Sequence, residues 1–200
     1  MKKIGISITA LAIFAFMSCK DEKKQTIQEE STIEEVTTAE PAVNREAKEI
    51  AKTVSVPLEA KSGSSAVGEV FFSEKDGTVR LEAKISGLDS GTHAIHIHEK
   101  SDCSSADGKS AGGHWNPTHA QHGKWGDEAG YHKGDIGNFE VTDSGLGKIN
   151  METDEWCIGC GDETKDILGK AIIVHQGADD FVSQPSGAAG SRVSCGGIIK

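Results

Sequence analysis

His93-Ala94-Ile95-His96-Ile97-His98-Glu99 sets two histidines two positions apart inside a short, β-prone, otherwise apolar run. In an extended chain, residues i and i+2 share a face, so His96 and His98 point one way while Ile95 and Ile97 point the other, toward a core. The two imidazoles can therefore converge on one ion. A lone His-x-His is as often a pair of surface histidines, and the residues on either side must decide.

Outward from this stretch the chain reads as strands. Val54, Val56, Leu58 and Ala60 alternate with Thr53, Ser55, Pro57 and Glu59, and Pro57, which has no N–H to give, assigns that strand to an edge. Residues 67–73 form a second strand, and Lys75-Asp76-Gly77 is a hairpin turn into a third, where Val79, Leu81, Ala83 and Ile85 alternate with Arg80, Glu82 and Lys84. The histidine stretch is the fourth. From Glu99 to Asn138 the alternation stops, and so long an unpatterned segment in a compact domain is usually functional. Strand patterns return over 138–142, 146–151, 170–175 and 192–199, with a second loop over 176–190. Many short strands with Gly-rich turns and no convincing helix predict an all-β fold: an antiparallel sandwich or flattened barrel of about eight strands, with its site on the loops.

The N-terminal quarter has a different character. Met1-Lys2-Lys3 followed by the apolar run 4–16 has the charged start and short apolar centre of a secretory signal, too short to span a bilayer. Phe16-Met17-Ser18-Cys19 resembles a bacterial lipobox, with Phe16 where leucine is usual, which makes Cys19 the lipidated residue. The following residues to about 51 are rich in Glu, Lys, Thr and Ala and lack aromatics, a composition that cannot offset the entropy of ordering. The division is thus a signal over 1–18, Cys19 and an acidic tether over 19–51, and a domain over 52–200. The tether reaches roughly 30 Å as a random coil. Lys20-Asp21-Glu22 resembles an acidic surface-display signal, so the expected location is outside the cytoplasm, lipid-anchored to a bacterial outer membrane and facing periplasm or surface. Of the net charge of −10, the signal carries +2 and the tether −4, leaving −8 on the domain, which excludes nucleic acid as a partner.

The long loop holds Ser110-Ala111-Gly112-Gly113-His114-Trp115-Asn116-Pro117, then His122-Gly123, then Gly130-Tyr131-His132-Lys133-Gly134-Asp135-Ile136-Gly137-Asn138. Later come Ile173-Val174-His175-Gln176-Gly177-Ala178-Asp179-Asp180 and Gly190-Ser191-Arg192-Val193-Ser194-Cys195-Gly196. These motifs resemble the copper/zinc superoxide dismutases, in their exported bacterial branch, over about residues 53–199. The resemblance implies a Greek-key β-sandwich with long metal-binding and electrostatic loops, one copper and one zinc per chain, and superoxide as substrate. It assigns copper to His96, His98, His114 and His175, and zinc to His114, His122, His132 and Asp135, with His114 bridging. Four imidazoles suit copper, and three imidazoles with a carboxylate make a closed zinc site.

The same resemblance makes Asp179 the carboxylate behind His96 and His122, and Arg192 the guide for the anion beside copper. His93, out of phase with His96 and His98, reads as a hydrogen-bonded structural histidine; His119 has no role and is expected in solvent. Loop 176–191 has no lysine and Gln176 stands where many relatives have glutamate, so attraction must come from the metals and Arg192, with Lys133, Lys124 or Lys109 as further candidates. The resemblance pairs Cys103 with Cys195. It does not cover Cys157-Ile158-Gly159-Cys160, whose spacing fits a four-residue turn with Gly159 third and hence a local disulfide; a reduced, copper-binding pair is the alternative. The expected activity is superoxide disproportionation, with a non-catalytic metal-binding or delivery lipoprotein as the competing class. Relatives include both monomers and dimers, so a homodimer is allowed.

Overall fold

The computed structural model describes residues 51–200; the expected signal, the lipidated Cys19 and nearly all of the tether lie outside the described residues. Eight strands follow in order: β1 Lys52–Ala60, β2 Val67–Lys75, β3 Thr78–Ser86, β4 Gly91–His98, β5 Gly137–Val141, β6 Leu146–Thr153, β7 Ala171–His175 and β8 Arg192–Gly197. Among the described residues there is no α-helix, and a single 3-10 turn covers Lys109–Ala111.

Every pairing is antiparallel, and the strands close into a barrel in the order β1-β2-β3-β6-β5-β4-β7-β8. Strands β4, β5 and β6 lie side by side and β7 returns next to β4, which is a Greek key. Closure is thin at two seams: β5 meets β6 only at Val141–Gly147, and β1 meets β8 only at Glu59–Cys195 and Ala60–Ser194. The barrel is therefore flattened into two sheets. Pro57 is not on an edge strand, because β1 has neighbours on both sides; it is tolerated because β8 reaches only Glu59 and Ala60, leaving the ladder open where the proline lacks its N–H. Ala60, expected inside, is exposed because it lies past the last core layer at the barrel rim.

Alternation is strict in β3, where Val79, Leu81, Ala83 and Ile85 are buried and every residue between them is exposed. The β2–β3 turn places Asp76 at φ 51 and Gly77 at φ 78, both left-handed, as a two-residue hairpin loop requires. Strands β4 and β7 differ: from His93 to His98, and throughout β7, every residue is buried. Ile95, Ile97, Ile172 and Val174 face the barrel core, while Ala171 and Ile173 on the outer face pack with Ala111 and Cys195 in a second cluster against Cys103. The loops roof the outer face of these two strands, and that roof keeps His96, His98 and His175 dry.

The roof is stitched to β4 by backbone hydrogen bonds. Trp115 N–H donates to Ile97 O (2.8 Å), Ile97 N–H to Gly134 O (2.9 Å) and Gly134 N–H to Trp115 O (3.0 Å). A side chain at Gly134 would run into the Ile97 carbonyl, so only glycine allows this approach. The Cys103–Cys195 disulfide, with Cα atoms 5.8 Å apart, ties the first part of the long loop to β8. Trp156 anchors the loop between β6 and β7: it is buried against Phe72 and Trp125, and its indole N–H donates to Lys133 O at 2.9 Å.

Candidate metal centre

Two histidines from β4, one from β7 and three from the long loop meet beneath the roof, and six of their ring nitrogens are buried without a hydrogen-bond partner: His96 Nδ1, His98 Nε2, His114 Nε2, His122 Nδ1, His132 Nδ1 and His175 Nε2. Each buried, unsatisfied polar atom costs about 1–3 kcal/mol, so a cluster of six demands ligands. They fall into two four-residue sets, His96, His98, His114 and His175, and His114, His122, His132 and Asp135; within each set the donor atoms lie within 4.8 Å of one another. His114 belongs to both.

The outward nitrogens are already committed, which fixes the inward ones as lone pairs. His98 Nδ1 lies 3.0 Å from Gly112 O and His175 Nδ1 lies 3.4 Å from Gly190 O, so each donates there and leaves Nε2 bare. His96 Nε2 donates to Asp179 Oδ2 at 2.8 Å, and His122 Nε2 to Asp179 Oδ1 at 2.9 Å, so one carboxylate orients a ring of each set. Asp135 Oδ2 accepts the backbone N–H groups of His132 (2.8 Å) and Gly123 (3.2 Å). Its Oδ1 is turned to the rings, 2.8 Å from His114 Nδ1 and 3.2 Å from His132 Nδ1, while His122 Nδ1 lies 3.0 Å from Oδ2. Zinc bonds of 2.0–2.1 Å in a tetrahedron separate donors by roughly 3.3 Å, so this set is already near zinc spacing.

Burial, reinforced by the charges of neighbouring rings, holds His98 and His175 well below the ordinary histidine value, and holds His114 at about 4 despite the pull of Asp135. These rings are neutral at pH 7, as metal ligands must be. Burial also opposes a charge on His122, but the Asp135 and Asp179 carboxylates beside it win and push it up to about 9. Against their own burial, Asp135 and Asp179 are held below the usual carboxylate range by the histidines they accept from.

Three side-chain amides that the sequence pattern did not single out lock these loops. The Asn138 amide donates to Asp179 O (2.9 Å) and accepts from Asp179 N–H (2.8 Å); Gln184 brackets the His122 backbone in the same way at 2.9 Å on both sides; Asn116 brackets Ala120 at 2.8 and 3.0 Å. Nothing in spacing or periodicity marks Asn138 and Gln184, whose backbone partners lie 41 and 62 residues away. Gly187 completes the packing at φ 68, where any side chain would overlap the Asp179 carboxylate.

A mouth of about 370 Å³ opens over His114 and His132, lined also by Glu99, Asn116, His119 and Arg192. Arg192 is half-buried, donates from Nη1 to Gly108 O at 2.9 Å, and its charge reaches His98 and His175. Of the candidate lysines, Lys133 is paired with Glu155 and Lys109 with Asp107 at 2.9 Å, and none of Lys109, Lys124 and Lys133 lines the mouth. Their partners offset two of the three charges. His119 is exposed, as expected, but stands at the rim of the mouth. His93 faces inward, with Nδ1 3.0 Å from His175 O and Nε2 2.9 Å from Asp89 O, and belongs to neither donor set. Cys157 and Cys160 form a disulfide with Cα atoms 6.0 Å apart, and Gly159 has φ 66.

A family model described as copper/zinc superoxide dismutase (SODC) matches residues 66–198. The extracellular superoxide dismutase [Cu-Zn] of Caenorhabditis elegans is 33% identical over 161 residues, covering 76% of this chain and 71% of the relative. Among solved structures, a double mutant of a SOD-like protein from Bacillus subtilis superposes with TM-score 0.65 at 34% identity, covering 73% of this chain and 97% of that one. The clock protein EA4 gives TM-score 0.63 at 31% identity, covering 74% and 94%. The barrel order, the two donor sets sharing one histidine, and these likenesses converge on a single assignment: the chain belongs to the copper/zinc superoxide dismutase family of copper- and zinc-dependent oxidoreductases.

Proposed function

We propose that this chain disproportionates superoxide to dioxygen and hydrogen peroxide outside the cytoplasm, with copper held by His96, His98, His114 and His175 and zinc by His114, His122, His132 and Asp135. The observation that carries the reading is His114, whose two ring nitrogens are turned into two different donor sets beside an arginine-lined mouth. When bound, copper supplies one-electron exchange with superoxide, and zinc supplies a fixed positive charge without redox activity. His114 Nε2 takes up a proton in the first half-cycle and gives it to the second superoxide, the other proton coming from solvent. The balance is two superoxide anions and two protons to one dioxygen and one hydrogen peroxide. Arg192 holds the anion at the mouth by charge, its guanidinium steadied by Gly108 O. Asp179 keeps His96 and His122 in the tautomers that leave Nδ1 free for the metals.

The location belongs to the same proposal. The signal-like start, the lipobox-like segment at Cys19 and the acidic tether support an exported, lipid-anchored protein, and two disulfides suit an oxidising compartment. Metabolic labelling with a radioactive fatty acid should mark the full chain and not a Cys19→Ser variant; equal labelling of both would overturn the anchor. The activity is tested by superoxide consumption of protein with measured metal content. One copper and one zinc per chain with catalytic decay supports the reading, and full metal without decay returns the chain to the class of metal-binding modules.

A further inference from the structure

The dismutase reading leaves the Cys157–Cys160 pair unused, and the loop around it is held by hydrogen bonds as well as by the disulfide. Asp166 accepts the N–H groups of Gly159, Gly161 and Leu168 at 2.9, 2.9 and 3.0 Å, wrapping the Cys-x-x-Cys turn around one carboxylate. A two-bond ladder, Cys157 N–H to Lys165 O (2.8 Å) and Ile167 N–H to Cys157 O (3.1 Å), holds the other side. A disulfide between residues three apart closes so short a loop that it removes little chain entropy. The turn is therefore built to keep two sulfurs together whether or not they are bonded. Cys160 is exposed, and both sulfurs and an Asp166 oxygen lie within 4.8 Å of one another.

The position of this loop gives the pair something to do. Gly161, Glu163 and Asp166 form one side of a groove of about 560 Å³, with Glu99, Asn116 and Lys170 among the residues completing it. Glu99 and Asn116 also line the mouth over His114, so the groove adjoins the mouth at these two residues, and Gly161, next in sequence to Cys160, lines its other side. Three carboxylates, Glu99, Glu163 and Asp166, share the groove with one ammonium, Lys170, whose Nζ lies over the Trp115 ring, 5.6 Å from its centroid. Such a groove attracts cations and repels superoxide, so it is a route for metal and not for substrate.

We propose that Cys157 and Cys160, once reduced, form a copper(I)-binding site at the head of this groove and feed copper to the histidine cluster. A dithiol reductant breaks the Sγ–Sγ bond, supplying two electrons and two protons and becoming a disulfide itself. Copper(I) then displaces the two thiol protons and binds both sulfurs, the soft ligands it prefers, and passes to the histidines by ligand exchange without change of oxidation state. The bonded pair offers no thiolate, so the disulfide is the closed form of the site. Where the groove leads rests on the copper reading of the histidine cluster; the thiol site itself does not.

Anaerobic titration with copper(I) against a coloured copper(I) chelator tests the site, using protein already loaded at the histidines with copper and zinc and then treated with dithiothreitol. Reduced native protein should take up one more equivalent than Cys157→Ser/Cys160→Ser, with X-ray absorption showing sulfur neighbours on the added copper; Cys103–Cys195 is common to both and cancels. Cys160→Ser alone, at an exposed position, should lose the same equivalent and guards against misfolding of the double variant. Equal uptake by native protein and both variants overturns the site. In zinc-loaded, copper-free protein, copper should appear at the histidines several-fold faster for the reduced native chain than for the double variant; equal rates overturn the feeding role. Dismutase activity of fully loaded variants stays at the native level under this proposal, so a failure of the thiol site and a failure of the dismutase reading are separate results.

Discussion

His114 has no nitrogen to spare: Nδ1 is turned to Asp135 and Nε2 is bare toward the other three rings. His114→Ala should therefore uncouple the two metals, leaving copper on three histidines while fast turnover is lost; full activity with both metals retained would refute the shared ligand. Arg192 acts through charge, so Arg192→Gln should lower kcat/KM by about tenfold and Arg192→Glu by clearly more, within the 10–1,000-fold range of electrostatic steering. Equal losses in the two variants would show that its bond to Gly108 O, and not its charge, is what matters. At this scale the sequence was legible wherever chemistry demands a residue type at a fixed spacing. His96 and His98 stand two apart on one strand, whereas His114, His122, His132 and Asp135 were picked out by the family resemblance, since His119 stands in the same loop and belongs to neither donor set. Asn138 and Gln184 were illegible, because an amide clamping a distant backbone looks like any loop amide.

Strands were legible because one face of each meets the core and the other meets water, the condition that writes period two into β3. The condition fails in β4 and β7, where loops cover the second face, and it says nothing about closure, which is why Pro57 pointed to an edge in a barrel whose β1 has two neighbours. The long loop is tied to β4 by backbone hydrogen bonds and to β8 by the Cys103–Cys195 bridge, which spans a sequence separation of 92. In the chain-entropy model a loop of that length corresponds to at most about 4–5 kcal/mol. Cys103→Ser should lower the thermal midpoint and weaken zinc binding, measured by calorimetry and chelator competition; unchanged values for both would rule out a structural bridge. Trp156 is the anchor of the following loop, so Trp156→Ala should cost about 3–5 kcal/mol in denaturant unfolding. A loss below about 1 kcal/mol would mean the loop closes over the gap and Trp156 is not its anchor.

Over the whole molecule, stability and metal are coupled through protons. His98, His175 and His114 titrate lower in the folded than in the unfolded chain, so their contribution is complete above the ordinary histidine value near 6.5 and is lost as pH falls toward the His114 value of about 4. Asp135 and Asp179 act in the same sense at still lower pH. His122 has the opposite sign, its contribution complete below about 6.5 and lost as pH rises through about 9. The metal-free protein should thus lose at least about 5 °C of thermal midpoint between pH 7 and pH 4, at about 2–4 °C per kcal/mol for a chain of this size. A midpoint that rises or stays flat would contradict the neutral buried cluster. With −8 on the domain and one arginine at the mouth, attraction is local, and salt screens it within about 8–10 Å at physiological strength. The central claim, that two metals joined through His114 make this chain a dismutase, is tested most directly by stopped-flow decay of superoxide with protein holding one copper and one zinc per chain. Decay should be first order in superoxide, proportional to enzyme, slower with added salt, and reduced to the rate of free buffer by His114→Ala at equal copper content. Decay that is the same for the native and His114→Ala proteins would contradict it.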